Sequence, residues 1–363
     1  MSRWSTALAL GVLVTACAGA GAQTPPSQPS PKQEVYSGSQ SFMREQYPST
    51  YIRRPNPPVV IRNVNILTAA GQELRNAAIA FQDGKILAVG QTVETPAGAV
   101  VIDGNNKWVT PGIIDTHSHL GVYAAPGTQA ESDGNEATNP VTAEVWAEHS
   151  IWPHDPQIPL AIAGGVTVMQ VLPGSANLIG GRSATVRLVP ARTVQEMKYP
   201  GAPYGVKMAC GENPKRVYQS RGPSTRMGNM AGYRTAFIQA EQYQARWDAW
   251  LKDKKGDPPA RDLKLETLAG VLRGEISVQN HCYRADEMAQ MLDLAREFGF
   301  RIQSFHHGIE AYKIADLLKT AGTAASVWSD WGGFKMEAYD QVTENLALIQ
   351  QAGAIAVLHT DSP

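Results

Sequence analysis

The chain has 363 residues, 43% of them hydrophobic, with 32 Lys and Arg against 33 Asp and Glu. That length suits one large domain with an accessory one, and the apolar share is enough for a sizeable core. The balanced charge excludes a polyanion-binding surface read from composition, so no nucleic-acid partner is expected.

The first 22 residues read as a leader. Arg3 supplies a positive start, Ala7 to Ala16 is a short apolar run, and Ala20-Gly21-Ala22 is a small-residue cleavage site. The run is too short to span a bilayer. Val14-Thr15-Ala16-Cys17 also fits a bacterial lipoprotein signal, which would end at Cys17 and attach a lipid there. Either processing implies an extracytoplasmic protein, periplasmic in a bacterium, touching membrane only through a Cys17 anchor. Residues 23–58 are rich in Pro, Ser and Gln and read as a linker.

Residues 59–110 change character. Short apolar runs (Val59–Ile61, Val64–Leu67, Ala77–Phe81, Lys85–Val89, Ala99–Ile102) alternate with Gly and Asp punctuation, as at Asp83-Gly84. This spacing predicts a small β-sheet or sandwich.

From Pro111 the rhythm becomes strand then helix. Strands are predicted at Ile113–His117, Val166–Leu172, Ala184–Leu188, Val206–Ala209, Ile276–His281, Arg301–Phe305, Ala324–Trp328 and Ala354–His359. Helices are predicted at Arg234–Lys254, Leu263–Leu272, Ala285–Glu297, Ala311–Lys319 and Asp340–Gln351. Eight strands over about 250 residues match an α/β fold of the (β/α)8 TIM-barrel type. The connections after the second and third strands are too short for full helices, which predicts an irregular barrel there. Because the chain stops two residues after Asp361, the barrel (residues 111–363) is expected to be truncated after strand eight. The sandwich is then partial as well, with its C-terminal part missing.

A barrel of this type carries its chemistry at the C-terminal ends of its strands. His117 and His119 end strand one, and residues i and i+2 of a strand point to one side, so one divalent cation could be held by both. Lys207 lies on strand four, His281 ends strand five, His306-His307 ends strand six, and His359 and Asp361 end strand eight. Six of the eight histidines therefore fall at predicted strand ends, which chance would rarely produce.

These residues carry a family resemblance. Thr110-Pro111-Gly112-Ile113-Ile114-Asp115-Thr116-His117-Ser118-His119 resembles the first-strand signature of the metal-dependent amidohydrolase superfamily. Gly211-Glu212-Asn213-Pro214-Lys215-Arg216, His281-Cys282-Tyr283-Arg284-Ala285-Asp286-Glu287 and His307-Gly308-Ile309-Glu310-Ala311-Tyr312-Lys313 are similar to runs of its imidazolonepropionase-like and prolidase-like branch. The resemblance implies a site for two divalent ions, Zn2+ before Mn2+ or Co2+. His117 and His119 would hold the more buried ion. His281 with His307, or its neighbour His306, would hold the other.

An ammonium has no lone pair for a metal. The resemblance implies that CO2 carboxylates Lys207, making it an anionic bridge. It also implies hydrolysis of a C–N amide bond by a metal-bridging hydroxide, with Asp361 as ligand and as general base and then acid. The expected substrate is a small amide, a dipeptide in the first instance. Cyclic amides are the alternative, and a non-catalytic or incompetent fragment of the same fold is the other. Oligomeric state is not readable.

Other residues read more plainly. Arg284 is either a clamp for a substrate carboxylate or the partner of Asp286. Lys335 and Glu337 either line the mouth or belong to a solvated loop. His149 and His154 read as surface or packing residues, and His359 as a packing residue or a partner of the ligands. Cys210 and Cys282 read as small buried strand residues, since two cysteines do not make a disulfide framework.

Overall fold

The computed structural model describes residues 47–361, so the leader and the first part of the linker lie outside the described residues. Among the described residues no helix is long and apolar enough to cross a membrane.

The first sheet contains β1 (Val59–Leu67), β2 (Glu73–Gln82), β3 (Lys85–Gly90), β4 (Val100–Asp103) and β5 (Trp108–Val109). Its order is β3-β2-β1-β4, with β5 also on β1. Two predicted runs, Val59–Ile61 and Val64–Leu67, are one strand whose register shifts at a bulge. Asn63 in that bulge has a φ of 53°. Asp83 and Gly84, both with positive φ, close the β2–β3 hairpin, the backbone that a two-residue hairpin loop of this hand requires. Among the described residues this is one sheet, not the two packed layers of the expected sandwich. Val60, Val64, Ile66, Ala78 and Ala80 are buried, whereas Ile86, Leu87, Val100, Val101 and Ile102 are exposed.

The second sheet contains β6 (Ile113–Ser118), β7 (Val166–Val171), β8 (Ile179–Arg187), β9 (Gly205–Ala209), β10 (Ser277–Cys282), β11 (Ile302–His307), β12 (Ala324–Val327) and β13 (Ala356–Leu358), paired in sequence order. Each predicted strand has its counterpart. All neighbours are parallel except β8, which is antiparallel to β7 and to β9. The cause is the short connection over 172–178. A parallel crossover needs a dozen or more residues, so the chain turns straight back. The sheet curls until the ends of β6 and β13 meet, and His117 on β6 lies 3.2 Å from Asp361 just past β13.

Among the described residues the α-helices are α1 (Gln157–Ala163), α2 (Val194–Met197), α3 (Glu212–Val217), α4 (Arg226–Asp253), α5 (Leu263–Leu272), α6 (Ala285–Phe298), α7 (Ala315–Ala321) and α8 (Asn345–Gln351). The side chains of Thr225 and Asp262 cap α4 and α5 by accepting from Gly228 N and Leu265 N. Gly299, at φ 72°, ends α6 in the left-handed turn that glycine favours. Tyr233, Phe237 and Ala240 of α4 share the main core with Val206, Met208, Val278 and Phe305 from the strands. Outward strand residues are thus locked against helices, and inward ones are left to form the site.

Candidate metal centre at the strand ends

The centre begins with β6. His117 is fully buried and His119 is only partly so. His119 Nδ1 lies 2.8 Å from the carbonyl of Leu172. A carbonyl only accepts, so this nitrogen carries the proton and Nε2 presents a lone pair. The His117 tautomer is assigned by a longer relay. His306 Nε2 lies 2.8 Å from Gln279 Oε1, and His306 Nδ1 lies 2.9 Å from His117 Nδ1. If His306 donates to Gln279, it must accept from His117, which leaves His117 Nε2 with its lone pair free.

Three acceptors then converge. His117 Nε2 and His119 Nε2 are 3.3 Å apart, and Asp361 Oδ1 is 3.2 Å from the first and 3.4 Å from the second. Lys207 Nζ, 3.3 Å from His117 Nε2, is the donor at hand. It leaves His119 Nε2 and Asp361 Oδ1 facing each other. Lone pairs so arranged repel unless a cation lies among them.

The second half comes from β10 and β11. Strand alternation would turn only one of His306 and His307 inward. His307 has a φ of 74°, however, and both rings face the barrel's interior. The two have different tasks. His306 has a partner at each ring nitrogen. His307 Nδ1 is buried without a hydrogen bond, 3.6 Å from Asp361 Oδ2. His281 lies against His307, with ring centroids 4.5 Å apart, and its Nδ1 is also buried and unpartnered. His281 Nε2 meets Asn213 Nδ2 at 3.3 Å.

Burial holds the imidazoles of His117, His281, His306 and His307 neutral, well below the usual histidine range, with Lys207 adding to the effect. Neutral rings are what a metal requires. Burial also pulls the Lys207 ammonium down to about 8. The donor set of imidazole nitrogens, a carboxylate and unpartnered buried atoms therefore fits divalent ions of the Zn2+ type.

Some of the remaining residues stand as expected and others do not. Arg284 makes a bidentate pair with Asp286, both contacts at 2.9 Å, in an exposed position at the start of α6. That geometry is the partner reading, and the carboxylate-clamp reading has no support from it. Lys335 is partly buried and Glu337 fully so, unlike residues of a solvated loop. Lys335 Nζ contacts Glu212 Oε1 (3.3 Å) and Asn213 Oδ1 (3.2 Å) and lies 4.2 Å over the Tyr283 ring. Glu337 is buried and paired with Arg226, which also reaches Glu287 at 3.1 Å. Cys210 and Cys282 are buried at adjoining strand ends as expected, but they are joined as a disulfide, with Cα atoms 5.2 Å apart. Parallel pairing of β9 and β10 brings together two positions that are 72 residues apart in sequence. His149 stacks on Trp146, away from the centre.

Sequence reasoning did not find Gln279, Asn213 or Trp328. Gln279 stands two residues before His281, so strand period alone could have placed it on the inward side. Asn213 lies within the run after Lys207. Trp328 stacks on His307 at 4.3 Å and had no signal of its own. An open groove of about 1100 Å3 lies elsewhere, between Thr50–Pro55, α1 and the 189–192 loop. The centre is thus picked out by its donors and not by cavity size.

Comparison with known proteins agrees with this chemistry. A solved amidohydrolase from Thermotoga maritima MSB8 is 35% identical with a TM-score of 0.79, over 84% of this chain and 79% of that one. Amidohydrolase tasK of Hapsidospora irregularis is 34% identical over 293 residues, which is 74% of this chain and 30% of that protein. Imidazolonepropionase of Ralstonia nicotianae is 26% identical over 298 residues, 79% of this chain and 64% of that protein. No family model matches the chain. By its likeness to the Thermotoga protein in sequence and fold, the chain belongs to the amidohydrolase superfamily. It spans less than a third of the tasK protein's length and 64% of the imidazolonepropionase's.

Proposed function

We propose that this protein hydrolyses a C–N amide bond in a small molecule, a dipeptide being the first candidate, at a centre for two divalent ions. One observation carries the reading: His117 Nε2, His119 Nε2 and Asp361 Oδ1 converge within 3.4 Å, with a lone pair or negative charge on each. His117, His119 and Asp361 would hold one ion, and His281 and His307 the other. Lys207, fully buried between the two sets, would serve both once carboxylated by CO2. The ions, when bound, acidify water near neutral pH and polarise the amide carbonyl.

The rest follows from the chain's own groups. Asp361 is a carboxylate at the centre that is partly open to solvent, its side chain 18% exposed. It can take a proton from the attacking water and return it to the leaving nitrogen. Trp328 and Tyr283 flank His307 and His281 and exclude bulk water from that side. Gln279, His306 and the Leu172 carbonyl keep the two β6 imidazoles in the tautomers that face inward.

The test is elemental analysis of the protein followed by a hydrolysis screen of dipeptides and cyclic amides with added Zn2+ and bicarbonate. About two equivalents of metal and turnover of an amide are expected. Asp361→Asn should keep metal and lose turnover by about 10²–10⁴-fold, the usual worth of a positioned acid–base group. A near-normal rate in that variant would remove Asp361 from its role.

A further inference from the structure

The loop after β12 raises a wall of aromatic rings beside the centre. Trp328 stacks on His307, Trp331 lies 4.7 Å from Trp328, and Phe334 lies 5.3 Å from Trp331, centroid to centroid. Tyr283 closes the other side, 5.9 Å from Trp328 and 6.2 Å from Phe334. Exposure rises outward along this wall. Trp328 and Tyr283 are buried, whereas Trp331 is 47% exposed and Phe334 46%. Single exposed apolar residues are ordinary. Two touching rings that continue a buried stack from His307 offer a larger surface, and covering it is favourable by about 25 cal/mol for each Å2.

A cation stands on the same wall. Lys335 Nζ is 4.2 Å from the centre of the Tyr283 ring and 5.8 Å from that of Phe334. Its oxygen partners are Asn213 Oδ1 at 3.2 Å and Glu212 Oε1 at 3.3 Å. An ammonium has three N–H donors, so one is left without an oxygen among the described residues. Asn213 Nδ2 meets His281 Nε2 at 3.3 Å, so only the Asn213 carboxamide separates the ammonium from the centre. Arg284 differs, because its bidentate pair with Asp286 is exposed on both sides. The Lys335 side chain is 18% exposed and holds each oxygen by one long contact. The loop is anchored from behind: Glu337 pairs with Arg226, and the Gly333 N–H donates to the Ala338 carbonyl at 2.7 Å. A wall fixed in this way can receive a ligand without first being ordered.

We propose that this loop selects the substrate, Lys335 taking the free carboxylate of the departing residue while Trp331 and Phe334 cover its apolar side chain. In a dipeptide only N and Cα separate the scissile carbonyl carbon from the carboxylate carbon, so a carboxylate held at Lys335 keeps that carbonyl within reach of the centre. The inference rests on the amide-hydrolysis reading above. It narrows that reading to dipeptides that end in a large apolar residue.

The test uses the full chain with Zn2+ and bicarbonate, and three probes: Ala-Leu, its C-terminal amide and Ala-Gly. In Lys335→Met the preference for Ala-Leu over its amide should fall at least about tenfold in kcat/KM, the worth of a hydrogen bond to a charged group, with the change in KM. Lys335→Arg should recover most of it. In Trp331→Ala the preference for Ala-Leu over Ala-Gly should fall at least about fivefold. Binding of leucine, a product of such hydrolysis, is read by calorimetry and needs no turnover. It should weaken at least about tenfold in Lys335→Met. If Lys335→Met fails to fold, Lys335→Gln takes its place. Unchanged preferences in folded variants, or equal leucine binding with and without Lys335, would overturn the inference alone. A wild type that hydrolyses no dipeptide yet binds leucine through Lys335 would uphold the carboxylate site and remove the amide-hydrolysis reading. A wild type that does neither would overturn both.

Discussion

Two of the buried polar clusters in this barrel differ in how their groups are met. Beside the start of β9, Lys198 Nζ contacts Glu148 Oε2 at 2.6 Å, the Tyr204 hydroxyl at 2.7 Å and the Tyr47 carbonyl at 2.7 Å. Charge meets opposite charge, and donors meet acceptors. At the other ends of the strands, imidazole lone pairs and a carboxylate face one another, and several nitrogens have no partner. A cluster whose charges are paired internally holds the fold together. A cluster with more acceptors than its donors, Lys207 and Asn213, can meet has use for something brought from outside. Burial of polar groups thus marks function when the groups cannot satisfy each other.

Removing one member from each cluster separates the two. Lys198→Met should leave Glu148 buried without its cation and cost about 3–5 kcal/mol, read by denaturant unfolding. The folded fraction should keep its Zn2+ content. If metal is lost while stability is unchanged, the division between the clusters fails. Gln279→Leu should have a smaller effect of the opposite kind. It removes the acceptor of His306 and frees the His117 tautomer, so Zn2+ affinity should fall about 10–100-fold with little change in unfolding. Equal affinity in a chelator competition would break the proposed relay.

The sequence made the strand ends legible because two periodicities coincide there. Inward alternation along a strand and the punctuation after it both place His117, His119, Lys207, His281 and Asp361 near one another. That His306 and His307 both turn inward depends on the left-handed backbone of His307, which one-letter code does not display. Likewise, the reversed direction of β8 follows from a short connection, but the sequence shows only the shortness. The Cys210–Cys282 bond depends on strand register, and the partnership of Asn213 with His281 depends on a loop's path. Such tertiary facts have no local signature. In the first sheet, alternation identified the strands but not the number of layers.

Acid should sharpen the contrast in metal-free protein. Burial lowers His359 to about 4 and puts His117, His281, His306 and His307 well below 6.5. Above about 6.5 these rings are neutral in both the folded and unfolded states. Below it the unfolded chain takes up protons that the folded chain refuses, so stability falls as pH drops from about 6.5 toward 4. Chelator-treated protein unfolded in denaturant at several pH values should show this loss, and Zn2+ should reduce it at the upper end of the window. A stability curve flat between 6.5 and 4 would mean that the histidine cluster opens to solvent.

Arg284→Ala should do least. The Arg284–Asp286 pair is exposed on both sides, and such pairs contribute about 0–1 kcal/mol. Because the guanidinium is already committed to Asp286, KM for a peptide carrying a free carboxylate should stay within about twofold of wild type, with kcat unchanged. The opposite outcome would be informative. A rise in KM for carboxylate-bearing substrates but not for their amides would mean that the pair opens when substrate arrives, exchanging one carboxylate for another of the same geometry. The boundary between self-satisfied and ligand-seeking groups would then move outward, from the strand ends to the first turn of α6.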